Sequence, residues 1–376
     1  MTKTPDPATA TAGGDIASLA SYHLLGKSGL RVSPLALGTM TFGNTWGWGV
    51  DPTTAHALMD RYLAAGGNFI DTADGYAAGA SESIIGDYME RTRTRDRIVL
   101  ATKFTFSEQP GNPNSGGNGR KNIHRALEGS LRRLKTDYID VYFLHVWDGV
   151  TPVGEVMQTL SDLVRVGKIR HIGLSDVPAW YFARAQTLAD AKDLERVCAL
   201  QLEYSLVERN IEREHIPAAI EMGVGVTPWS PLASGLLSGK YTRTAADKTS
   251  GPGRLEKFTT TTNPAFAKLF TERNWRIVDA VGAIARELSA PVASVALAWV
   301  ARRPGVASTI IGATRVEQLE ANLRALDLVL PGEALARLDA ASAIDLVHPY
   351  QFFTPEMRAM TTAGTPVRAE PSWYRA

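Results

Sequence analysis

The chain has 376 residues, and its 40 lysines and arginines almost balance 39 aspartates and glutamates, with no basic run. That balance removes any electrostatic case for nucleic acid or a membrane surface and leaves a small molecule as the expected partner. The single cysteine, Cys198, excludes an intrachain disulfide; set in the apolar run VCALQLEY, it reads as a buried, inert thiol suited to a reducing cytoplasm. The length exceeds an ordinary domain but suits one α/β barrel enlarged by loop insertions.

Residues 1–20 are rich in Ala, Thr, Pro, Gly and Asp and lack the basic start and apolar core of a signal peptide, so they are expected to form a disordered leader. Next, YHLLGKSGLRVSPL places two short apolar runs around a GKSG turn, the pattern of a hairpin that caps a barrel bottom. Strands are predicted over Leu35–Thr39, Asn68–Thr72, Arg97–Lys103, Ile139–His145, Arg170–Ser175, Val197–Glu203, Gly225–Trp229 and Ala307–Gly312. Between them, Thr53–Ala65, Ser81–Arg91, Asn122–Leu134, Val153–Val166 and Val316–Leu326 repeat apolar residues at helical spacing. Strand-then-helix units whose strands are apolar on both faces predict an α/β fold, a closed parallel (β/α)8 barrel rather than an open doubly wound sheet, spanning residues 21–345. Phe104–Lys121, Lys240–Asn274 and the tail at 346–376 are too long for plain connections. The tail carries Tyr350, Phe352, Phe353, Trp373 and Tyr374, and is expected to dock in part near the barrel mouth.

In a parallel barrel, residues just past the C-terminal ends of the strands converge on one face. Asp71 and Tyr76 in NFIDTADGY, Lys103 in RIVLATKF and His145 in IDVYFLHVWD therefore form a candidate catalytic set. A phenol with a pKa of about 10 is a poor acid near neutrality, but an adjacent ammonium stabilises its phenolate. Lys103 would supply that charge, Asp71 its counter-ion, and His145 a hydrogen bond to a substrate oxygen. Singly, each has an ordinary reading: a strand-end Asp forms turns, and a lone His is commonly a satisfied polar group. On three successive strands they make a set able to protonate a carbonyl. Trp46, Trp48, Phe104, Phe106 and Trp147 follow strands on the same face and are expected to line a pocket for an apolar or ring-shaped substrate. Asp148 reads as a cap for the next helix. His23, His56, His124, His171, His215 and His348 are scattered, so no metal is expected.

The D-x4-Y spacing of IDTADGY, the ATK strand, the LH strand end and the segment LGKSGLRVSPLALGTMTFG together resemble the aldo-keto reductases, from about Tyr22 to Leu326. The resemblance implies a (β/α)8 TIM barrel that binds a nicotinamide cofactor across its C-terminal face without a Rossmann domain; no G-x-G-x-x-G follows the first strand. By the same resemblance, Ser175 in GLSD and Gln201 would hold the nicotinamide carboxamide, with Asp176 standing where the family has Asn. An ionised Asp accepts but cannot donate. TPWSPLASGLLSGKY resembles the family segment that stacks an aromatic ring, here Trp229, on the nicotinamide and runs Ser230, Leu232, Ser234, Gly235 and Lys240 along the pyrophosphate. Read without the resemblance, it is a glycine-rich loop able to present backbone NH groups to an anion. In IIGATRVEQLEANL, Gly312, Thr314, Arg315, Gln318 and Asn322 would hold the adenosine end at a helix N-terminus. Arg315, with Arg254 in the long loop, favours NADP(H) over NAD(H) through a ribose 2′-phosphate. Ala321 stands where many relatives carry an adenine-contacting Glu.

The expected activity is NADPH-dependent reduction of aldehyde, ketone or sugar-derived carbonyls, with Tyr76 as general acid. Two alternatives stand beside it. WSPLASGLLSGKY and GATRVEQL also resemble the potassium channel β subunits, which implies an NADP(H)-binding regulatory or redox-sensing subunit with little turnover. On pattern alone, Lys103 could instead form the Schiff base of a barrel aldolase, although an adjacent Asp would keep it protonated.

Overall fold

A hairpin plug precedes the barrel strands. In the computed structural model, which describes residues 16–107, 109–241 and 269–365, β1 (His23–Leu24) and β2 (Arg31–Val32) pair antiparallel around the GKSG turn. Leu25 and Val32 bury their side chains against Ala36, Phe69, Ala101 and Val141 at the base of the barrel interior. Gly26, at φ +61°, lies so close beneath Cys198 that an added Cβ would stand 2.5 Å from its carbonyl oxygen, so no other residue fits there. Lys27 N donates to Gly223 O at 2.7 Å and fixes the hairpin across the barrel bottom.

Eight parallel strands follow: β3 (Leu35–Gly38), β4 (Phe69–Asp71), β5 (Val99–Phe104), β6 (Ile139–Leu144), β7 (Ile169–Ser175), β8 (Val197–Gln201), β9 (Gly225–Val226) and β10 (Thr309–Ile311). They pair in chain order, and β10 returns to β3. Hydrogen bonds from Val226 N to Gly305 O, Ala307 N to Val226 O and Ile310 N to Pro228 O, at 2.8–2.9 Å, close the ring between β9 and β10. Around it lie α1 (Pro52–Ala64), α2 (Ala80–Thr92), α3 (Arg120–Leu134), α4 (Val153–Arg165), α5 (Ala179–Lys192), α6 (His215–Met222), α7 (Glu272–Glu287), α8 (Val292–Ala301), α9 (Val316–Leu323), α10 (Gly332–Ala341) and α11 (Pro355–Thr361). The helix starts follow local chemistry: Asp51 caps α1 by accepting from Thr54 N at 2.8 Å, ahead of Pro52. No single described helix is long and apolar enough to cross a membrane.

Strand alternation divides the core. In β5, Val99 and Ala101 join the barrel interior while Leu100 and Phe104 join the layer between strands and helices. Lys103 therefore points inward, and its neighbour Phe104 points out, its ring 5.0 Å from Tyr142 and fully buried. Phe104 is thus corrected from pocket lining to core packing.

Several boundaries also differ from expectation. The run Gly225–Trp229 shortens to Gly225–Val226 because Pro228 has no NH to continue the ladder; Trp229 keeps one bridge to Glu203. The predicted helix Val316–Leu326 ends at Leu323 and tightens into a 3-10 turn over Arg324–Leu326. Ile16 and Leu19 are buried in the main core, so the last residues of the expected leader pack on the barrel. At the other end, Arg213 donates to Asp345 O at 2.9 Å and the Tyr350 hydroxyl donates to Glu214, holding the start of the tail against the β8–α6 connection. Arg254, Trp373 and Tyr374 lie outside the described residues.

Candidate active site

Backbone pairing beyond the ends of the strands builds the candidate catalytic set. Asp71 closes β4 opposite Ala101, and the segment after it continues along β5, with Thr72 N bonded to Ala101 O at 2.9 Å and Asp74 N to Lys103 O at 3.1 Å. This clamp sets Tyr76 over the inward-facing Lys103. Ala77 and Ala78 then take left-handed φ values of 51° and 56° as the chain swings away into α2.

The Lys103 ammonium spends its three donors on three oxygens: Asp71 Oδ2 at 2.7 Å, Thr72 O at 2.7 Å and the Tyr76 hydroxyl at 3.3 Å. Gln201 Nε2 occupies the other Asp71 oxygen at 2.8 Å. Burial alone would lower the Lys103 pKa, but the Asp71 charge and the hydrogen bonds outweigh it and hold the group above its ordinary value. A Schiff base needs the neutral amine, so this geometry argues against the aldolase reading. His145 follows β6, with its ring edge-on to Tyr76 at 5.8 Å and to Phe106 at 4.9 Å. Burial, reinforced by Lys103, pushes its pKa well below the usual range, so the imidazole is neutral; its Nδ1 is buried with no hydrogen-bond partner.

Trp46 stands 6.5 Å from the Tyr76 ring and 5.4 Å from Trp48, and with Phe106 leaves a partly exposed aromatic rim beside the phenol. Trp147 packs differently, 5.2 Å from Trp180 and 5.6 Å from Tyr181 at the start of α5. Those two aromatics escaped the sequence reading because they follow β7 inside a helix-like run. Asp148 does not cap α4. Its carboxylate accepts from Val150 N, Thr151 N, the Thr151 hydroxyl and Asn118 N at 2.6–3.0 Å, tying the long loop after β5 to the loop after β6.

The second group of residues lies across the same face. Alternation turns Ser175 and Gln201 into the barrel, with Leu174 and Leu200 outward in the main core. Ser175 Oγ is buried, next to the Asp176 carboxyl, without a partner in hydrogen-bond geometry. Asp176 adopts φ +45° and accepts from Trp229 Nε1 at 3.1 Å. The low-dielectric walls of the mouth push its carboxyl up to about 6, against the opposing effects of Trp229 and Lys103. After Trp229, Ser230 Oγ accepts from Ser234 N at 3.1 Å, and Ser230, Ser234 and Gly235 all take positive φ, curling the loop that ends at Lys240. Leu232 accepts through its carbonyl from Gly235 N and Leu237 N within that curl. At the far end, Gln318 accepts from Thr314 N and Oγ1, and Asn322 donates to Gly312 O, bracing the loop before α9. Arg315 caps that helix from an exposed position, and among the described residues no hydrogen bond or ion pair engages its guanidinium.

Glu203, missed in the sequence, shares the inward face of Gln201 two residues further on and pairs through its backbone with Trp229. Burial, then Glu208 and Asp176, raises its carboxyl to about 7. A carboxyl raised in the folded state destabilises the fold once it ionises, and the loss accumulates as pH rises from about 4.5 to 7. Glu203→Gln is therefore expected to stabilise the chain at pH 8 by about 1–2 kcal/mol, after screening at a partly exposed group, or a Tm gain of about 1–3 °C. Thermal denaturation should show the gain shrinking as pH falls through 7 towards 4.5. A gain independent of pH would assign the effect to packing.

A parallel barrel carrying a carboxylate, ammonium, phenol and neutral imidazole at one mouth, with polar residues across the same face, has the construction of a barrel oxidoreductase. The chain belongs to the aldo/keto reductase family, whose family model matches residues 34–343. It is 36% identical over 343 residues to an aryl-alcohol dehydrogenase of Pestalotiopsis microspora, covering 89% of this chain and 85% of the relative. It is 34% identical over 346 residues to a norsolorinic acid reductase of Aspergillus flavus, covering 89% and 84%. With an aryl-alcohol dehydrogenase [NADP(+)] of Phanerodontia chrysosporium it shares 34% over 339 residues, 86% of each chain.

Proposed function

We propose that this protein reduces aldehyde or ketone carbonyls, aromatic ones among them, with NADPH, and that Tyr76 donates the proton. The observation that carries this reading is the Lys103 ammonium, locked to Asp71 at 2.7 Å and held 3.3 Å from the Tyr76 oxygen. The residues across the face fit a nicotinamide cofactor: Ser175 Oγ is a buried hydroxyl awaiting a polar partner, and Trp229 offers a partly exposed ring beside it. Ser175 and Gln201 would hold the carboxamide, Trp229 the ring, and the Ser230–Lys240 loop the phosphates. When bound, the cofactor supplies hydride.

The chain's own residues handle the proton. Tyr76 transfers its phenolic hydrogen to the carbonyl oxygen, and Lys103 stabilises the phenolate left behind. Asp71 keeps Lys103 charged and aimed. The neutral His145 orients the substrate oxygen by donating to it, without competing as an acid. Trp46, Trp48 and Phe106 form the apolar rim, and two of the relatives are named for aryl alcohols. A panel of aromatic, aliphatic and sugar-derived aldehydes monitored by NADPH absorbance tests the reading; no turnover across the panel would refute it.

NADPH is favoured through Arg315, whose guanidinium is exposed at the N-terminus of α9. A charge-assisted pair with a 2′-phosphate implies that Arg315→Ala weakens NADPH binding about 10- to 100-fold while NADH stays within about twofold. Titration by tryptophan quenching measures both. An equal loss for the two cofactors would remove Arg315 from phosphate recognition.

A further inference from the structure

Asp176 and Glu203 stand at the nicotinamide end of the proposed cofactor site without a cation of their own. Asp176 Oδ1 accepts from Trp229 Nε1, a neutral donor, and among the described residues no hydrogen bond or ion pair engages the Glu203 carboxylate. Lys103 is close enough to influence Asp176, but its three donors are committed to Asp71, Thr72 and Tyr76. Glu208 adds a further negative charge near Glu203. Trp229 connects the two residues, its ring nitrogen bonded to Asp176 and its backbone bridged to that of Glu203. Beside them Ser175, a residue only 1% exposed, holds its buried Oγ next to the Asp176 carboxyl. Two acids without a cationic partner beside an indole ring, with a hydroxyl next to one of them, make a receptor for a flat polar cation.

We propose that Asp176 and Glu203 select the oxidation state of the bound cofactor, holding the cationic nicotinamide ring of NADP+ more tightly than the neutral dihydropyridine ring of NADPH. The inference rests on the cofactor placement proposed above. The two forms share adenine, ribose and phosphates and differ at the ring by one unit of charge, so the ratio of their affinities isolates the field at the ring. Both carboxyls are raised by burial, to about 6 and about 7, and both are ionised at pH 8. Tighter binding of the oxidised form makes the bound cofactor a stronger reductant than the free one, because the binding difference adds to the driving force of reduction.

The test titrates the wild-type chain, Asp176→Asn, Glu203→Gln and the double variant with NADP+ and with NADPH at pH 8, by calorimetry. Neutralising the pair is expected to weaken NADP+ binding about 10- to 100-fold and to change NADPH binding by less than about twofold. Glu203→Asp, which keeps the charge, should retain most of the wild-type ratio. Glu203→Gln leaves the Asp176–Trp229 bond untouched, so it still reports on charge if Asp176→Asn unfolds. Parallel loss of both affinities, or an unchanged ratio, overturns charge selection while leaving the cofactor site standing. A wild-type chain that binds neither form overturns the placement and this inference together.

Discussion

Tyr76→Phe is expected to lower carbonyl turnover by about 10²- to 10⁴-fold, the usual contribution of a positioned general acid. The substitution keeps the ring, so its edge-on contacts with His145 at 5.8 Å and Trp46 at 6.5 Å survive. It removes only the oxygen 3.3 Å from the Lys103 ammonium. Stability should change little, since Lys103 retains Asp71 and Thr72. Cofactor affinity should also hold, because the Tyr76 hydroxyl is not among the proposed cofactor contacts. The result separates catalysis from a binding-only role. A reductase loses kcat and keeps NADPH, whereas a regulatory subunit has little turnover to lose. Full retention of turnover by the phenylalanine variant would remove Tyr76 from proton transfer.

The barrel and the convergence of Asp71, Tyr76, Lys103 and His145 were legible in the sequence because both depend on short, strongly patterned segments. Each of the eight central strands coincides with an apolar run, and Asp71, Lys103 and His145 lie at or beside their C-terminal ends. Phe104 and Glu203 are placed by strand alternation rather than by residue type: with Lys103 pointing inward, Phe104 must point outward, and with Gln201 inward Glu203 must follow it. Ile16 and Leu19 were hidden by a different cause: a helical spacing of two apolar residues is too short to stand out beside an Ala- and Thr-rich stretch. The ties that Asp148 makes to Asn118, 30 residues away, carry no local signal at all.

The buried ion pair yields the second large effect. Lys103 and Asp71 are 0% and 2% exposed, so removing either partner strands a charge in the barrel. Lys103→Met is expected to cost about 3–5 kcal/mol, because Asp71 would be left with Gln201 as its side-chain donor. Asp71→Asn should also destabilise, leaving the ammonium with neutral acceptors. In the double variant no charge remains to be compensated, and the methionine stem fills the volume of the lysine chain. Its stability should therefore recover to within about 1–2 kcal/mol of wild type, so that the two single losses together exceed the double loss by more than about 2 kcal/mol in a double-mutant cycle. Turnover should not recover. Without an ammonium beside the phenol, the phenolate left after proton transfer has no adjacent cation, and the loss should match or exceed that of Tyr76→Phe. Denaturant unfolding of the four chains, paired with steady-state kinetics, measures both quantities. Stability and turnover recovering together would show that the pair only supports the fold, and additive stability losses would show that the two charges are not coupled.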